Sequence, residues 1–158
     1  MMRSDVKNYQ VIFKFRQEYI ICCEFHDGYK NWTKPIRSVL ERHEKLASVL
    51  DYALGGKPYR FDKIGVVVAV PGAKTAWWHS DGPGQDTVDV FIPLRDFALP
   101  STEFWIDNRS YKPLYQKRSA FVYTYDVTHR ALEYKEHGPR LMLYAIATAN
   151  EDFTDQNE

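Results

Sequence analysis

The chain has 158 residues, of which 44% are hydrophobic and 27% are charged, the composition of an ordinary globular domain. The charges of its 21 basic and 21 acidic residues cancel, which gives a formal net charge of +0 at pH 7. The basic excess of a duplex-binding protein is therefore missing, and a nucleic-acid partner is not expected. No apolar run approaches the roughly 20 residues that a membrane-spanning helix needs, so a membrane partner is not expected either.

The two cysteines, Cys22 and Cys23, are neighbours. Adjacent residues of a strand point to opposite faces and a disulfide between them is strained, so both thiols are expected to be free. Free thiols, together with the lack of an apolar secretory segment at the first residues, favour the cytoplasm.

The length fits one domain with a single buried core, and no linker divides it. Residues 1–58 are expected to hold N-terminal strands and a supporting helix, residues 59–148 a β-rich core, and residues 149–158 a flexible tail. The helix is predicted from apolar residues that recur at three- and four-residue steps over residues 36–54. Thr33 is its predicted N-cap, and Gly55-Gly56 its predicted end.

Short segments rich in β-branched and aromatic residues, with turn residues between them, fill the remainder of the chain. Such a series is typical of a β-sandwich or barrel, so the expected fold class is mainly β. The predicted strands are residues 9–15, 19–25, 64–70, 77–81, 88–94, 104–106, 120–127 and 140–147.

The segment Trp77-Trp78-His79-Ser80-Asp81 carries an imidazole and a carboxylate two positions apart. In a strand, residues two apart point the same way and lie roughly 7 Å apart along the backbone. One imidazole and one carboxylate on a face are two-thirds of the facial triad that binds non-haem Fe(II). The pair predicts a metal site whose third ligand comes from a later histidine.

His129 is the best candidate for that third ligand. It lies at the end of the β-rich segment 121–128 and 48 residues after Asp81, enough for several short strands to bring the chain back. Strand ends are where barrels and sandwiches carry ligands and pockets. The remaining histidines are expected in structural or solvated positions: His26, His43 and His137.

Arg140 comes eleven residues after His129 and opens the last apolar segment. If its side chain points inward it needs an anion, because a buried unpaired charge is very costly. A guanidinium is also the natural bidentate partner of a carboxylate. The alternative is an exposed loop arginine that follows Gly138-Pro139, and the residue alone does not decide between the two.

The ordered set His79-x-Asp81, His129 and Arg140 resembles the Fe(II)- and 2-oxoglutarate-dependent dioxygenases, and most closely their phytanoyl-CoA dioxygenase-like branch. The likeness covers residues 60–148. Residues 78–82 are similar to the family's iron strand and residues 90–96 to the strand after it, and residues 120–122 and 128–131 are similar to the segment that bears the second histidine. The resemblance implies a double-stranded β-helix, that is, a jelly-roll or cupin-like fold, with one N-terminal supporting α-helix.

The resemblance also implies an activity. His79, Asp81 and His129 would hold Fe(II), and Arg140 would clamp the distal carboxylate of the co-substrate 2-oxoglutarate, with ascorbate as an accompanying reductant. The enzyme would oxidise a C–H bond of a small organic molecule or an amino-acid side chain and release succinate and CO2. Related halogenases have a small residue at the position of Asp81, so a hydroxylase or another oxidising enzyme is expected.

The sequence leaves two roles around this set undecided: the hydroxyl partner of Arg140 and the residues of the substrate pocket. Leu141 and Met142 follow Arg140, so its hydroxyl partner is expected from Thr124 or Tyr125, with Tyr123 as an alternative. The candidates for the substrate pocket are three: Trp77, Arg95 and Trp105. Trp77 would form a pocket wall, or it would simply fill the barrel.

Two other functions compete with the dioxygenase. The chain is short for the resembled family and lacks the Gly-Ser-His segment expected between the second and third ligands, which favours a catalytically impaired module that binds metal or ligand. A cupin-like isomerase or sugar-binding protein would use several histidines rather than His-x-Asp.

Overall fold

The computed structural model describes residues 11–12, 20–24, 30–84 and 86–150. Two helices and nine strands are described, and no helix among them is long and apolar enough to cross a membrane. In chain order they are β1 Val11–Ile12, β2 Ile20–Glu24, α1 Lys30–Glu41, α2 Glu44–Ala53, β3 Tyr59–Ala69, β4 Thr87–Pro93, β5 Thr102–Ile106, β6 Arg109–Tyr111, β7 Phe121–Thr124, β8 Thr128–Ala131 and β9 Arg140–Ala149. The predicted boundary of the tail at residue 149 is wrong, because Ala149 belongs to β9 and the Asn150 N–H donates to the Pro58 carbonyl at 3.0 Å. The predicted tail from residue 151 onward lies outside the described residues, and so does His26.

The single predicted helix is wrong in its middle, because α1 and α2 meet at His43. This residue leaves the helical region (φ −83°, ψ 96°), and its Nδ1 accepts a hydrogen bond from the Leu46 N–H at 3.3 Å. His43 is therefore the N-cap of α2, satisfying a donor that has no partner within the helix. Thr33, the predicted N-cap, is buried inside α1.

The predicted helix end is confirmed. The helix α2 stops at Ala53, and Gly55 and Gly56 follow with φ of 65° and 74°. The Gly56 N–H donates to the Asp51 carbonyl at 2.7 Å, which satisfies one of the last orphan acceptors of the helix. Only glycine adopts this left-handed backbone without strain.

The larger sheet has six antiparallel strands in the order β1-β2-β3-β9-β4-β7. Its first pair is the described part of the predicted N-terminal hairpin, with Val11 opposite Cys23. The longest pairing, β3 with β9, places Ala69 opposite Arg140. Arg140 thus begins the strand at the centre of this sheet.

The smaller sheet has the order β6-β5-β8, and an isolated bridge between His79 and His129 adds the segment around His79 to its edge. The chain alternates between the sheets: β3, β4, β7 and β9 belong to the larger sheet, and the His79 segment, β5, β6 and β8 to the smaller. The predicted strand 120–127 is therefore wrong as one unit. It divides at Tyr125, where the chain crosses from β7 to β8.

The strand β6 was not predicted. It pairs with β5 through the two-residue turn Asp107-Asn108, whose φ angles are 49° and 59°. Positive φ at both central residues is the geometry of a tight hairpin, and Asp and Asn are among the residues that tolerate it.

Both faces of the larger sheet are covered. Its outer face packs against α1 and α2, and the inner face lies against the smaller sheet. Side chains of β9 alternate accordingly: Ala145 and Ala147 join the core under the helices, whereas Met142 contacts the interior cluster of Phe97 and Tyr115. The fully buried side chains under the helices each contribute about 1.5–3 kcal/mol: Leu50, Phe61, Ile64, Val88 and Val90. By the two-residue period Arg140 shares the inner side with Met142.

Candidate metal centre

His79 and His129 lie directly opposite each other at the edge of the smaller sheet. The His79 N–H donates to the His129 carbonyl at 3.0 Å, and the His129 N–H donates back at 2.8 Å. Residues paired in this way point to the same side, and the two imidazole rings are 4.5 Å apart between centroids. Strand pairing thus brings His129, which is 48 residues after Asp81, beside the pair of His79 and Asp81.

Asp81 completes the group. Its Oδ1 lies 3.9 Å from His79 Nε2, and its Oδ2 lies 3.5 Å from His129 Nε2. One ligand atom from each of the three residues lies within 4.8 Å of the others. Two atoms about 2.1 Å from a common ion, at an angle of roughly 90° to 130°, lie ~3.0–3.8 Å apart. The triad is slightly wider than this range and is able to bind a metal ion when its side chains move inward by a small distance.

Both imidazoles are oriented by their own backbone. His79 Nδ1 lies 3.0 Å from the Trp77 carbonyl, and His129 Nδ1 lies 3.0 Å from the Val127 carbonyl. A carbonyl accepts only from a protonated nitrogen, so each Nδ1 is the donor of this bond and each Nε2 is the ring nitrogen that faces Asp81. Burial lowers the pKa of His129, against the opposing effects of Val127 and Asp81, and this favours the neutral, ligating form.

Aromatic rings form the interior side of the triad. The Tyr123 ring of β7 lies 5.1 Å from the His129 ring, and the Phe104 ring of β5 lies 5.8 Å from it. Phe91 stacks on Tyr123 at 5.8 Å. Burial, and then the carboxylates of Asp89 and Asp81, raise the pKa of Tyr123 well above its ordinary value. Tyr123 therefore stays a neutral hydroxyl, and the triad borders an aromatic interior that also buries the Asp89 carboxylate.

Arg140 is buried, with 4% of its surface exposed, so the alternative of an exposed loop arginine is wrong. Its Nη1 donates to the Ser101 carbonyl at 3.0 Å. In the part of the chain that the structure describes, its Nε and the buried Ser101 Oγ have no hydrogen-bond partner. Burial lowers the pKa of Arg140, against the opposing effects of Tyr115, Tyr134 and Glu136, because a buried site solvates the charge poorly. These orphaned polar atoms fit an anionic ligand.

Tyr115 is a second hydroxyl near Arg140. It is 1% exposed and hydrogen-bonded to Thr102, and burial raises its pKa to about 12 despite that bond and the nearby charge of Arg140. Sequence reasoning missed Ser101 and Tyr115, which lie 39 and 25 positions before Arg140 in separate elements. No local pattern marks them.

The two hydroxyl residues predicted beside Arg140 lie elsewhere. Thr124 is on the face of β7 that it shares with Val122, which packs under the helices, so it points away from His129. The Tyr125 ring lies against Gly82, where an added Cβ would come within 3.0 Å of it. Tyr125 therefore flanks the loop after Asp81, and Tyr123 is the residue of this segment that faces the triad.

The three predicted pocket residues do not form a buried wall. Trp77 is 62% exposed. Trp105 is next to Phe104 and lies on the outer face of the smaller sheet, where its ring meets Trp78 at 6.0 Å. The Arg95 guanidinium is bonded to the Tyr134 hydroxyl.

No protein-family profile and no curated protein matches the sequence. Solved structures do match. The non-heme alpha ketoglutarate dependent epimerase SnoN from nogalamycin biosynthesis aligns with 81% of this chain and 61% of its own length, at 14% identity and a TM-score of 0.66. A Pseudomonas putida prolyl-4-hydroxylase aligns over 83% and 72%, at 15% identity and a TM-score of 0.62.

HygX from Streptomyces hygroscopicus, solved with nickel and 2-oxoglutarate bound, aligns with 85% of this chain and 72% of its own, at 6% identity and a TM-score of 0.69. At such identities the likeness establishes a shared fold. The chain spans about three fifths of the length of SnoN. The mainly β architecture is thus one that iron- and 2-oxoglutarate-dependent enzymes use.

Proposed function

We propose that this protein is an Fe(II)- and 2-oxoglutarate-dependent oxygenase that oxidises a C–H bond of a small organic molecule or an amino-acid side chain. The two sheets, between which the chain alternates, would be a double-stranded β-helix. The observation that carries the proposal is the convergence of His79, Asp81 and His129 within 4.8 Å, in a fold that also buries Arg140 with its Nε lacking a hydrogen-bond partner among the described residues. The order and spacing of these four residues favour the phytanoyl-CoA dioxygenase-like branch.

The metal would be held by His79 Nε2, His129 Nε2 and the Asp81 carboxylate. Both imidazoles already have the tautomer that a ligand needs, because each Nδ1 proton is engaged by a backbone carbonyl. One carboxylate and two neutral imidazoles are the ligand set of non-haem Fe(II) oxygenases. The carboxylate at position 81 argues against a halogenase, which needs that ligand position for halide.

The co-substrate's distal carboxylate would be held by Arg140. A guanidinium with a free Nε, beside the unpartnered Ser101 Oγ, offers donors to two carboxylate oxygens. Tyr115, neutral at any physiological pH, would add a hydroxyl donor from the same region. When bound, iron and 2-oxoglutarate supply the oxidising chemistry, with succinate and CO2 as by-products.

The protein's own part is orientation and exclusion of water. Tyr123, Phe104 and Phe91 border the triad with aromatic surface, which keeps the interior dry and strengthens each electrostatic contact in it. The Asp81 and Gly82 N–H groups donate to the Tyr125 carbonyl at 3.1 and 3.3 Å. These bonds fix the backbone that carries the carboxylate ligand.

The test is conversion of 2-oxoglutarate to succinate by the purified protein with Fe(II), ascorbate and oxygen. We expect slow, uncoupled succinate release above that of His79→Ala, and faster release when a substrate is found. Succinate at the level of His79→Ala under saturating iron would favour the impaired binding module. Analysis of the organic product would then separate oxygen insertion from epimerisation, the reaction for which the epimerase SnoN is named.

A further inference from the structure

Tyr134 lies between two arginines in the interior. Its ring faces Arg140, whose guanidinium carbon is 5.6 Å from the ring centroid. Its hydroxyl accepts a hydrogen bond from Arg95 Nη2 and donates one to the Gly138 carbonyl at 2.8 Å. Only 4% of Tyr134 is exposed. One side chain thus links Arg140 to a second cation and to the backbone just before the strand that Arg140 begins.

The backbone of Tyr134 is fixed on the turn after β3. Its N–H donates to the Ala73 carbonyl at 2.8 Å, and its carbonyl accepts from the Gly72 N–H at 3.0 Å. Its ring packs with Ala69 and Ala73. Because Ala69 is the residue paired with Arg140, the ring and the guanidinium are held on the same strand pair and keep a defined separation.

Arg95 extends the network to two loops. Its Nη2 also lies 3.4 Å from Glu136 Oε2, and its Nη1 donates to the His137 carbonyl at 3.4 Å. Glu136 Oε1 in turn accepts from the Leu99 N–H at 2.9 Å. Arg95 therefore has carboxylate and backbone partners of its own, and its contact with the Tyr134 hydroxyl orients the ring.

Arg140, by contrast, has few bonds that fix its direction. Within the described residues it makes one hydrogen bond, to the Ser101 carbonyl, and its Nε makes none. Because Arg140 is buried and makes a single hydrogen bond, the face of Tyr134 is a further contact that limits the direction of its guanidinium.

We propose that Tyr134 is a positioning residue that orients Arg140 for an anionic co-substrate, and that Arg95 acts through the Tyr134 hydroxyl. This role rests on the proposed function, in which Arg140 binds the distal carboxylate of 2-oxoglutarate. It gives Arg95, predicted from the sequence to contact substrate, an indirect role in co-substrate binding.

The test compares Tyr134→Leu, which removes the ring, with Tyr134→Phe, which keeps the ring and removes only the hydroxyl. We expect the Kd and KM for 2-oxoglutarate to rise ~10-fold in Tyr134→Leu and ~3-fold in Tyr134→Phe. Fe(II) affinity without 2-oxoglutarate, and kcat at saturating 2-oxoglutarate, should stay within about twofold, because neither Tyr134 nor Arg95 is a metal ligand. A residue that merely stabilises the fold would not change KM alone.

Trp78→Leu is the matched control, since it removes the ring under Arg130 on the outer face of the smaller sheet. It should leave the 2-oxoglutarate Kd unchanged. Arg95→Met should resemble Tyr134→Phe, and the double variant should be no worse than either single one if Arg95 acts through the hydroxyl. Should Tyr134→Leu fail to fold, Tyr134→Phe and Arg95→Met carry the test.

The outcomes separate the two claims. If the wild-type protein binds 2-oxoglutarate and folded Tyr134 variants bind it equally well, only the positioning role is overturned. A parallel loss of Fe(II) affinity in those variants also overturns it, since the effect would then be general. Wild-type protein that does not bind 2-oxoglutarate overturns the proposed function, and the role of Tyr134 with it.

Discussion

Two polar clusters differ in how their charges are matched. The outer cluster, on the outer face of the smaller sheet, centres on Glu103, which lies 2.6 Å from Arg130 Nη2 and 3.3 Å from Lys112 Nζ. The inner cluster lies on the inner sides of the sheets, where Asp81 faces two imidazoles and Arg140 bonds only a backbone carbonyl. The charged groups of the outer cluster contact opposite charges of the protein, whereas Arg140 in the inner cluster contacts none.

The two arginines make the contrast sharpest. Each lies over an aromatic ring: Arg130 is 4.3 Å from the Trp78 centroid, and Arg140 is 5.6 Å from the Tyr134 centroid. Only Arg130 has a carboxylate partner among the described residues. The Glu136 carboxylate raises the pKa of Arg140 but lies against Arg95, so Arg140 itself touches no carboxylate. A desolvated cation without a direct counter-ion destabilises the fold, and we therefore expect a ligand to supply the anion. We expect the inner cluster to respond to ligands and the outer cluster to pH and denaturant.

The largest effect is expected from Asp81→Ala. Loss of a direct ligand should weaken Fe(II) or Ni(II) binding at least ~100-fold, since even residues behind the ligands typically cost 10- to 100-fold. Calorimetric titration with Ni(II) measures it. Asp126→Ala, at an exposed position on the crossing to β8, is the control and should bind metal normally. Equal metal affinity in the two variants would remove Asp81 from the site.

Arg140→Met should weaken 2-oxoglutarate binding by ~30-fold or more, the effect of removing one partner of a buried charged pair. It should leave the free energy of unfolding unchanged or higher, because the ligand-free protein loses an unpaired buried charge. Calorimetry and urea unfolding measure the two quantities. A large loss of stability with normal 2-oxoglutarate affinity would make Arg140 a structural residue.

Arg130→Met is the matched variant and should behave in the opposite way. It leaves Glu103 without its closest cation, so the free energy of unfolding should fall by about 1–3 kcal/mol. The 2-oxoglutarate Kd should stay within about twofold of the wild-type value. If Arg130→Met and Arg140→Met affect the same quantity, the contrast between the two clusters is wrong.

The outer cluster should also control stability in acid. The Ser110 hydroxyl first, then Arg130 and Lys112, lower the pKa of Glu103 from 4.5 to about 2, against the opposing effect of burial. A depressed folded-state pKa contributes stability that is present above about pH 5 and is lost as the pH falls towards 2. Glu103→Gln should flatten this part of the stability curve, measured by urea unfolding of metal-free protein. If the free energy of unfolding of Glu103→Gln still falls with pH as steeply as that of the wild type, Glu103 is not the cause of the loss of stability in acid.

The smallest effect is expected from Lys112→Met. The Lys112 side chain is 51% exposed, so solvent screens its 3.3 Å contact with Glu103. Exposed pairs of this kind contribute about 0.2–1 kcal/mol. Urea unfolding should place Lys112→Met within ~1 kcal/mol of the wild type, and a loss as large as that of Arg130→Met would contradict the ranking of the two cations.

The sequence predicted elements better than their boundaries. The apolar period runs unbroken through His43, so it gave no sign that a histidine N-cap divides the helix there. The segment 120–127 is dense in β-forming residues and has no Gly or Pro at Tyr125, so the crossing between sheets had no local signal. The β5–β6 hairpin did have one, in Asp107-Asn108.

The site divides in the same way. His79 and Asp81 form a local pattern, and His129 and Arg140 follow at spacings that a known family shares, so the sequence alone was enough to select all four. The residues near Arg140 are Ser101, Tyr115 and Tyr134, in three different segments. They meet Arg140 only through tertiary packing, which no residue pattern encodes.

The most direct test of the central claim is a titration of 2-oxoglutarate into wild-type protein with and without Ni(II). If the triad and Arg140 form one site, metal and co-substrate share it, and we expect the metal to tighten 2-oxoglutarate binding at least ~10-fold. This coupling should vanish in His129→Ala. If the protein does not bind 2-oxoglutarate, or binds it equally tightly with and without Ni(II), the triad and Arg140 do not form a single site.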